Sequence, residues 1–152
     1  MATTESNRGK VRVVGLVSII IGALMIIAGA VTWGMVSSKL AAENITVSAD
    51  AAMFQGATVT GPLEAFVQAD TINRHALTAT GGKTYAQLDK EDPLRVTAMN
   101  ASFLRASLFT SVIAFGVALF AVGVGVVAIL SGWALRVLAP ATVKVDDQAA
   151  TV

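Results

Sequence analysis

The chain contains no cysteine and only one histidine, His75, among its 152 residues. Without cysteine it has no disulfide bond, no thiolate metal ligand and no thiol for lipid attachment. One histidine cannot supply the three histidines of a catalytic zinc site or the two of a non-haem iron site. We therefore expect no catalytic residue, no metal and no cofactor, and we predict that the protein is not an enzyme.

Charged residues are also scarce. They make up 14% of the chain, and hydrophobic residues make up 55%, against about 25% and about 45–50% in ordinary soluble domains. The formal net charge is only +1, and no basic patch is interleaved with aromatic residues, which argues against nucleic acid as a partner. The composition favours a membrane protein whose length leaves room for one folded unit.

Two long stretches without any charge account for this composition. The first covers residues 13–36 and the second covers residues 106–135. At about 1.5 Å per helical residue, each is long enough to cross a hydrocarbon layer of about 30 Å. Trp33 and Trp133 each lie near one end of a stretch, where the boundary of a bilayer suits an indole ring. We predict two transmembrane helices that form a hairpin in the lipid bilayer.

The flanking charges predict the orientation of this hairpin. The leader, residues 1–12, contains three basic residues and one acidic residue, which is the excess expected on the cytoplasmic side. Both termini are then cytoplasmic, and residues 37–105 form an extracytoplasmic module. The tail, residues 136–152, is expected to be disordered.

A cleaved export signal stays open as an alternative for the first apolar stretch. A basic leader, an apolar run and the small residues at 28–30 fit such a signal. The apolar run continues to Val36, however, and is longer than the usual core of about 7–15 residues in a signal. An uncleaved membrane helix is therefore favoured.

The extracytoplasmic module begins with two short strand patterns. Residues 43–51 and 55–61 alternate β-branched with small or polar residues, and the connection at Met53 and Phe54 is short enough for pairing. The expected fold class is therefore a mainly α membrane protein, with a two-helix transmembrane hairpin and a small α+β insertion of two strands and one helix.

The helix of this insertion is predicted over residues 62–77. Pro62 suits the first turn of a helix, and good helix formers follow until the two glycines at 81–82. The helical spacing predicts an apolar face with polar residues at its edge. This outer surface comprises Leu63, Phe66, Val67, Asp70, Arg74 and His75.

The second transmembrane helix is predicted to begin inside the module. Asp92 can accept backbone N–H bonds at a helix start, and Pro93 can occupy the first turn. Nothing between Pro93 and Leu135 breaks a helix, so we expect one continuous helix that extends outward from the membrane.

Small residues four positions apart offer surfaces for close helix packing in a bilayer. They occur in both apolar stretches, as Ser18 with Gly22, Ala30 with Gly34, Ala114 with Ala118, Ala121 with Gly125, and Ala128 with Gly132. The sequence leaves open whether these pairs pack within one chain or between copies.

Three segments of the chain carry a resemblance to other proteins: ITVSADAAMFQG at 45–56, GPLEAFVQADTINRHALTATGGKTYAQLD at 61–89, and DPLRVTAMNASFLRASLFTSVIAFGVALFAVG at 92–123. Together they resemble an uncharacterised family of small two-span membrane proteins of actinobacteria. The resemblance implies bacterial origin and residence in the plasma membrane. Some members carry the label of aromatic ring-opening dioxygenase, which a chain with a single histidine does not support.

Three functional hypotheses follow, of which an enzyme is the least favoured. The first is a non-enzymatic interaction or accessory-subunit role, in which the outer module contacts another membrane protein or further copies of this chain. The second is an extracytoplasmic binding or sensing module for a lipid, a wall fragment or a small solute.

Overall fold

The described chain is mainly helical. A computed structural model gives the backbone of residues 2–139 and the side chains of residues 9–139. It contains α1 (Ala2–Ala42), α2 (Pro62–Ala79), a short 3-10 helix (Tyr85–Gln87) and α3 (Leu94–Leu138). The remainder of the tail predicted to be disordered, residues 140–152, lies outside the described residues.

Two of these helices, α1 and α3, are long and apolar enough to cross a membrane. In each, only 17% of the most apolar window is buried within the structure. A core helix of a soluble protein would cover most of such a window. The charge-free stretches thus form two long helices whose aliphatic side chains mostly face outward.

The two predicted strands are absent from residues 2–139, and the prediction of an α+β insertion was wrong. A single isolated antiparallel bridge joins Thr46 to Thr58, and two backbone hydrogen bonds of 2.8 and 2.9 Å flank it. The alternating pattern reflects burial instead, since Val47 and Val59 are 2% and 0% exposed in the core. With no third strand beside it, a two-stranded ladder of this length is marginal.

The chain divides into two compact units. The first comprises residues 1–27 and 121–152, and its described part is the beginning of α1 packed against the end of α3. Gly15 lies opposite Gly132, and Gly22 lies opposite Gly125. Because one number rises as the other falls, the two helices are antiparallel in this unit.

The second unit, residues 28–120, contains the hydrophobic core. Side chains from the end of α1, from the loop before α2, from α2 and from α3 meet there. Its buried members are Leu40, Val47, Ala51, Val59, Ala65, Ala69, Leu108 and Phe115. The loop before α2 therefore contributes to the core although it forms no sheet.

Helix α2 is buried through small and polar side chains. Its covered residues are Ala65, Gln68, Ala69 and Thr71. The larger Leu63 and Phe66, predicted to lie on an apolar face, are 63% and 52% exposed. Small side chains let the helix backbone approach its neighbours, so the buried face is the one with alanines.

Both ends of α2 follow from the residues predicted to bound it. Pro62 occupies the first turn, where its missing N–H costs nothing. After Ala79 the chain turns through Gly81 and Gly82, whose φ angles are 63° and 83°. Gly82 donates its backbone N–H to the carbonyl oxygen of Leu77 at 2.7 Å, which satisfies a helix-end acceptor as in a Schellman motif.

The start of α3 is capped as the sequence predicts. Asp92 accepts a hydrogen bond from the Leu94 N–H through Oδ1 at 2.9 Å. At the second residue of the helix, the Arg95 guanidinium lies 4.1 Å from the centre of the Tyr85 ring and donates to the Leu88 carbonyl oxygen at 2.7 Å. These contacts hold the 3-10 helix against the first turn of α3.

Candidate functional site

Two glycine pairs bring the helix backbones of the first unit together. A Cβ atom built on Gly22 would lie 2.5 Å from the carbonyl oxygen of Gly125, and one built on Gly125 would lie 2.6 Å from that of Gly22. Gly15 and Gly132 face each other in the same way. A glycine hydrogen then points at the opposite carbonyl, as in Cα–H···O contacts between packed helices.

A side-chain hydrogen bond lies between these two glycine pairs. Ser18 donates its hydroxyl to the carbonyl oxygen of Ala128 at 2.8 Å. The acceptor belongs to the other helix, whereas serines and threonines in helices often bond to their own backbone four residues earlier. Ser18 is therefore a polar tie between α1 and α3 in this unit.

The residues of the predicted small-residue pairs lie in different environments in the structure. Gly22, Gly125 and Gly132 lie in the close approach, together with Ser18 and Ala128. Ala30 and Gly34 are exposed, and a Cβ on Gly34 would meet nothing within 4 Å.

Three remaining alanines lie elsewhere on α3. Ala118 is buried, Ala121 is half-buried, and Ala114 lines a cleft described below. Gly15 was missed by a search for spacings of four. Its signal is the spacing of seven to Gly22, which matches Gly125 and Gly132 on the partner helix.

The predicted outer surface of α2 is exposed except for Val67, which is half-buried. Phe66 packs edge-on against Phe109 of α3 with ring centres 5.8 Å apart. The Arg74 Nε atom lies 3.5 Å from Oδ2 of Asp70, one helical turn earlier. An exposed ion pair of this kind contributes about 0.3–0.5 kcal/mol of stability.

His75 makes a contact that the sequence did not predict. Its Nε2 lies 2.6 Å from Oδ2 of Asp50 in the loop before α2. The hydrogen bond from His75 is the main cause that lowers the pKa of the Asp50 carboxyl below its ordinary value of 3.8. This contact joins the loop to the outer side of α2.

A cleft of about 760 Å³ opens in the second unit. Its walls come from residues 35–45, from two residues of α2, and from α3 between Leu104 and Ala114. Most of the lining is aliphatic, and its charged members are Lys39 and Glu43. The volume lies within the range of about 300–1,000 Å³ that small-molecule sites occupy.

Several polar groups of this cleft already form hydrogen bonds within the protein. Thr110 and Ser111 donate their hydroxyls to carbonyl oxygens one turn earlier in α3, at 2.7 and 3.2 Å. The side-chain oxygen of Gln68 accepts from the Ser48 N–H at 2.9 Å. Gln68 is 8% exposed, and its amide nitrogen has no partner among the described hydrogen bonds.

A second, much smaller cavity lies beside Arg105. It measures about 40 Å³, and Lys83, Tyr85 and Ser102 contribute to its lining. The Arg105 Nε atom is buried without a hydrogen-bond partner among the described residues. A polar space of this size suits a water molecule rather than a ligand.

The comparisons with known proteins identify no relative. No family model matches the chain, and no curated protein or solved structure matches it either. The resemblance to actinobacterial two-span proteins therefore stays a prediction. Within residues 9–139, no group of three or more His, Asp and Glu side chains is placed to hold a metal ion, and the prediction that the protein needs no cofactor is untested.

Proposed function

We propose that this protein is a two-pass protein of the bacterial plasma membrane with a non-enzymatic interaction or accessory-subunit role. In this proposal α1 and α3 cross the bilayer, both termini are cytoplasmic, and residues 37–105, which include the insert between the two helices at 43–93, lie on the outer face. The insert contacts another membrane protein or a second copy of this chain. Two helices with mostly uncovered aliphatic faces support the membrane assignment.

The orientation is supported by the distribution of basic residues. Arg8, Lys10 and Arg12 precede the apolar part of α1, and Arg136 follows that of α3. Basic residues near the ends of membrane helices favour the cytoplasmic side. Reporter fusions at each terminus and within the insert test this. Activity of an externally active reporter at either terminus would contradict the proposed topology.

The interaction role is carried by the outward face of α2. Leu63 and Phe66 are more than half exposed, although α2 lies outside both charge-free stretches of the sequence. Single exposed apolar residues are common on soluble proteins, whereas a contiguous patch of them is typical of a contact site. An aromatic anchor such as Phe66 is also the residue type that is enriched at the centre of protein interfaces.

Photo-crosslinking in native membranes tests this role. A photoreactive amino acid in place of Phe66 is expected to give a protein adduct of defined mass. The matched control is the same amino acid in place of Thr78, which is also exposed on α2 but lies about three turns away. Adducts with lipid alone at position 66, or equal protein adducts at both positions, would overturn the proposed docking face.

A second candidate function is ligand binding by the insert and the adjoining helix ends. The cleft lined by Leu40, Gln68 and Leu108 favours it, because it combines an apolar interior with a few polar groups. This candidate and the docking role use different surfaces, since neither Leu63 nor Phe66 lines the cleft. Each can therefore be tested alone.

A further inference from the structure

The polar and apolar groups of the cleft are sorted along its length. Trp33 of α1 packs on Phe115 of α3 with ring centres 4.7 Å apart, and this contact aligns the two antiparallel helices in the second unit. Met35 then lies level with Ala114, both inside the charge-free stretches. Lys39 lies level with the first turn of the second charge-free stretch. Glu43 lies level with the residues that precede that stretch. One end of the cleft is therefore apolar and the other carries charge.

The hydroxyl groups do not interrupt the apolar end. Thr110 and Ser111 are the polar residues nearest to Ala114, and both donate within α3. A hydroxyl that is bonded to its own helix presents no unsatisfied donor to a hydrocarbon chain. The apolar end can thus accept an acyl chain without the cost of burying a free polar group.

The charged end presents one group of each sign and one amide donor. Lys39 lies in the last turn of α1, and Glu43 follows it by four residues. Neither takes part in an ion pair among the described residues, which pair only Arg74 with Asp70 and His75 with Asp50. The amide nitrogen of Gln68 is a further donor. A headgroup with both a phosphate and an ammonium would match this set.

We propose that the cleft binds one phospholipid with an amine-bearing headgroup, with one of its two acyl chains against Met35 and Ala114 and its phosphate against Lys39. In this arrangement the ammonium group lies against Glu43, and the Gln68 amide nitrogen donates to an ester or phosphate oxygen. The inference rests on the second candidate function, ligand binding, and is independent of docking through Phe66. A second copy of the chain packed through its charge-free stretches fits less well, because residues 13–36 and 106–135 contain no charged group to face Lys39 and Glu43.

Native mass spectrometry of the full-length protein tests the proposal. Protein in mild detergent is supplied with phosphatidylethanolamine or with phosphatidylglycerol, and loosely held lipid is stripped by collision. The expected result is one retained phosphatidylethanolamine and markedly less phosphatidylglycerol. Equal retention of the two lipids would overturn the assignment of the headgroup.

Charge variants test the polar end without disturbing the core. Lys39→Glu should weaken retention of phosphatidylethanolamine about tenfold, which is the loss expected for one charge-assisted hydrogen bond. Lys90→Glu is the matched control, because Lys90 is exposed and lines a different cleft. Equal effects of the two substitutions would refute the role of Lys39.

Bulk variants test the apolar end. Ala114→Trp should fill the cleft and abolish retention, whereas Val117→Trp should leave it unchanged, since Val117 is exposed one turn away and does not line the cleft. Equal retention by both variants would overturn the proposed position of the acyl chain. A lipid-free dimer that dissociates on Ala114→Trp would also overturn it and assign the cleft to a second copy. The result of crosslinking from position 66 is independent of these outcomes, because Phe66 does not line the cleft.

Discussion

Gly22 and Gly125 approach each other so closely that neither position has room for a side chain. A Cβ on either residue would lie 2.5 or 2.6 Å from the carbonyl oxygen of the other. Each glycine therefore leaves room for the backbone of the other helix to come into contact. The helix pair of the first unit depends on both residues rather than on one permissive position.

Gly22→Ala is expected to lower the free energy of unfolding by about 1–3 kcal/mol, the usual cost of overpacking a tight contact. The added methyl group would press on the backbone oxygen of Gly125, which cannot rotate away as a side chain can. The measurement is unfolding of the purified protein in mixed micelles titrated with a denaturing detergent.

Gly34→Ala is the control on the same helix. A Cβ at Gly34 would meet nothing within 4 Å, so its only expected effect is the gain of up to about 1 kcal/mol from higher helix propensity. The two substitutions should therefore act with opposite sign. A loss of similar size in both would contradict the assigned close approach.

Ser18→Ala should destabilise the helix pair by about 0.6 kcal/mol and at most about 1.7, as for other hydrogen bonds between membrane helices. The variant removes the hydroxyl that donates to the Ala128 carbonyl oxygen. Ser102→Ala provides the comparison, because the Ser102 hydroxyl bonds within α3 to Ala98. Unfolding in mixed micelles should separate the two variants, and a larger loss in Ser102→Ala would argue against the tie at Ser18.

Gln68→Met should expose the Ser48 amide to hydrogen exchange. The substitution keeps the length of the side chain and removes the oxygen that accepts the Ser48 N–H at 2.9 Å, which costs about 1–3 kcal/mol for a donor left without a partner. Exchange at Ser48 should then accelerate about tenfold or more.

A matched substitution at Gln87 controls for the loss of an amide group. Gln87 is exposed and accepts from the Thr84 N–H in the capping box of the 3-10 helix. Gln87→Met should accelerate exchange at Thr84 and leave Ser48 unchanged. Faster exchange at Ser48 in both variants would indicate general loosening of the insert rather than loss of one bond.

The contact between Asp50 and His75 should weaken at acid pH. The pKa of the Asp50 carboxyl is lowered in the folded protein, chiefly by the hydrogen bond from His75. The stabilisation is therefore complete above the ordinary pKa of 3.8 that the carboxyl has in the unfolded chain and is lost as the pH falls through the lower, folded-state pKa. Carboxyl carbon NMR of the protein in micelles measures the Asp50 midpoint directly.

His75→Ala tests the cause of that shift. Without the donor, the Asp50 midpoint should move up toward its ordinary value of 3.8. Arg74→Ala should move it less, since Arg74 contributes the last of the recognised causes. An unchanged midpoint in the His75 variant would remove the hydrogen bond as the explanation.

The two long helices could be predicted because absence of charge is a local property of the sequence. A run such as residues 106–135 needs no knowledge of its neighbours to be recognised as helical and apolar. The bounds of α2 could be predicted for the same reason, since Pro62 and the glycines at 81–82 act on their own backbone. No local sequence signal of this kind identifies which face of a helix is buried.

The covered side of α2 could not be read from hydrophobicity. Leu63 and Phe66 are the apolar residues that a periodic pattern selects, yet Ala65 and Ala69 are the ones fully buried. Small residues are buried when the partner backbone comes close, which depends on the other helices. The cleft escaped prediction for a similar reason, because Lys39, Gln68 and Ala114 belong to three helices and come together only after folding.

The equal spacing of the glycines limits sliding of the helix pair in the first unit. Gly15 and Gly22 are seven residues apart, as are Gly125 and Gly132, and seven residues correspond to two turns or about 10.5 Å of helix. A shift by two turns would still match one glycine of each helix, for example Gly15 with Gly125, but would leave the other two facing side chains. Smaller shifts would match none, so the present register is the only one in which both pairs fit.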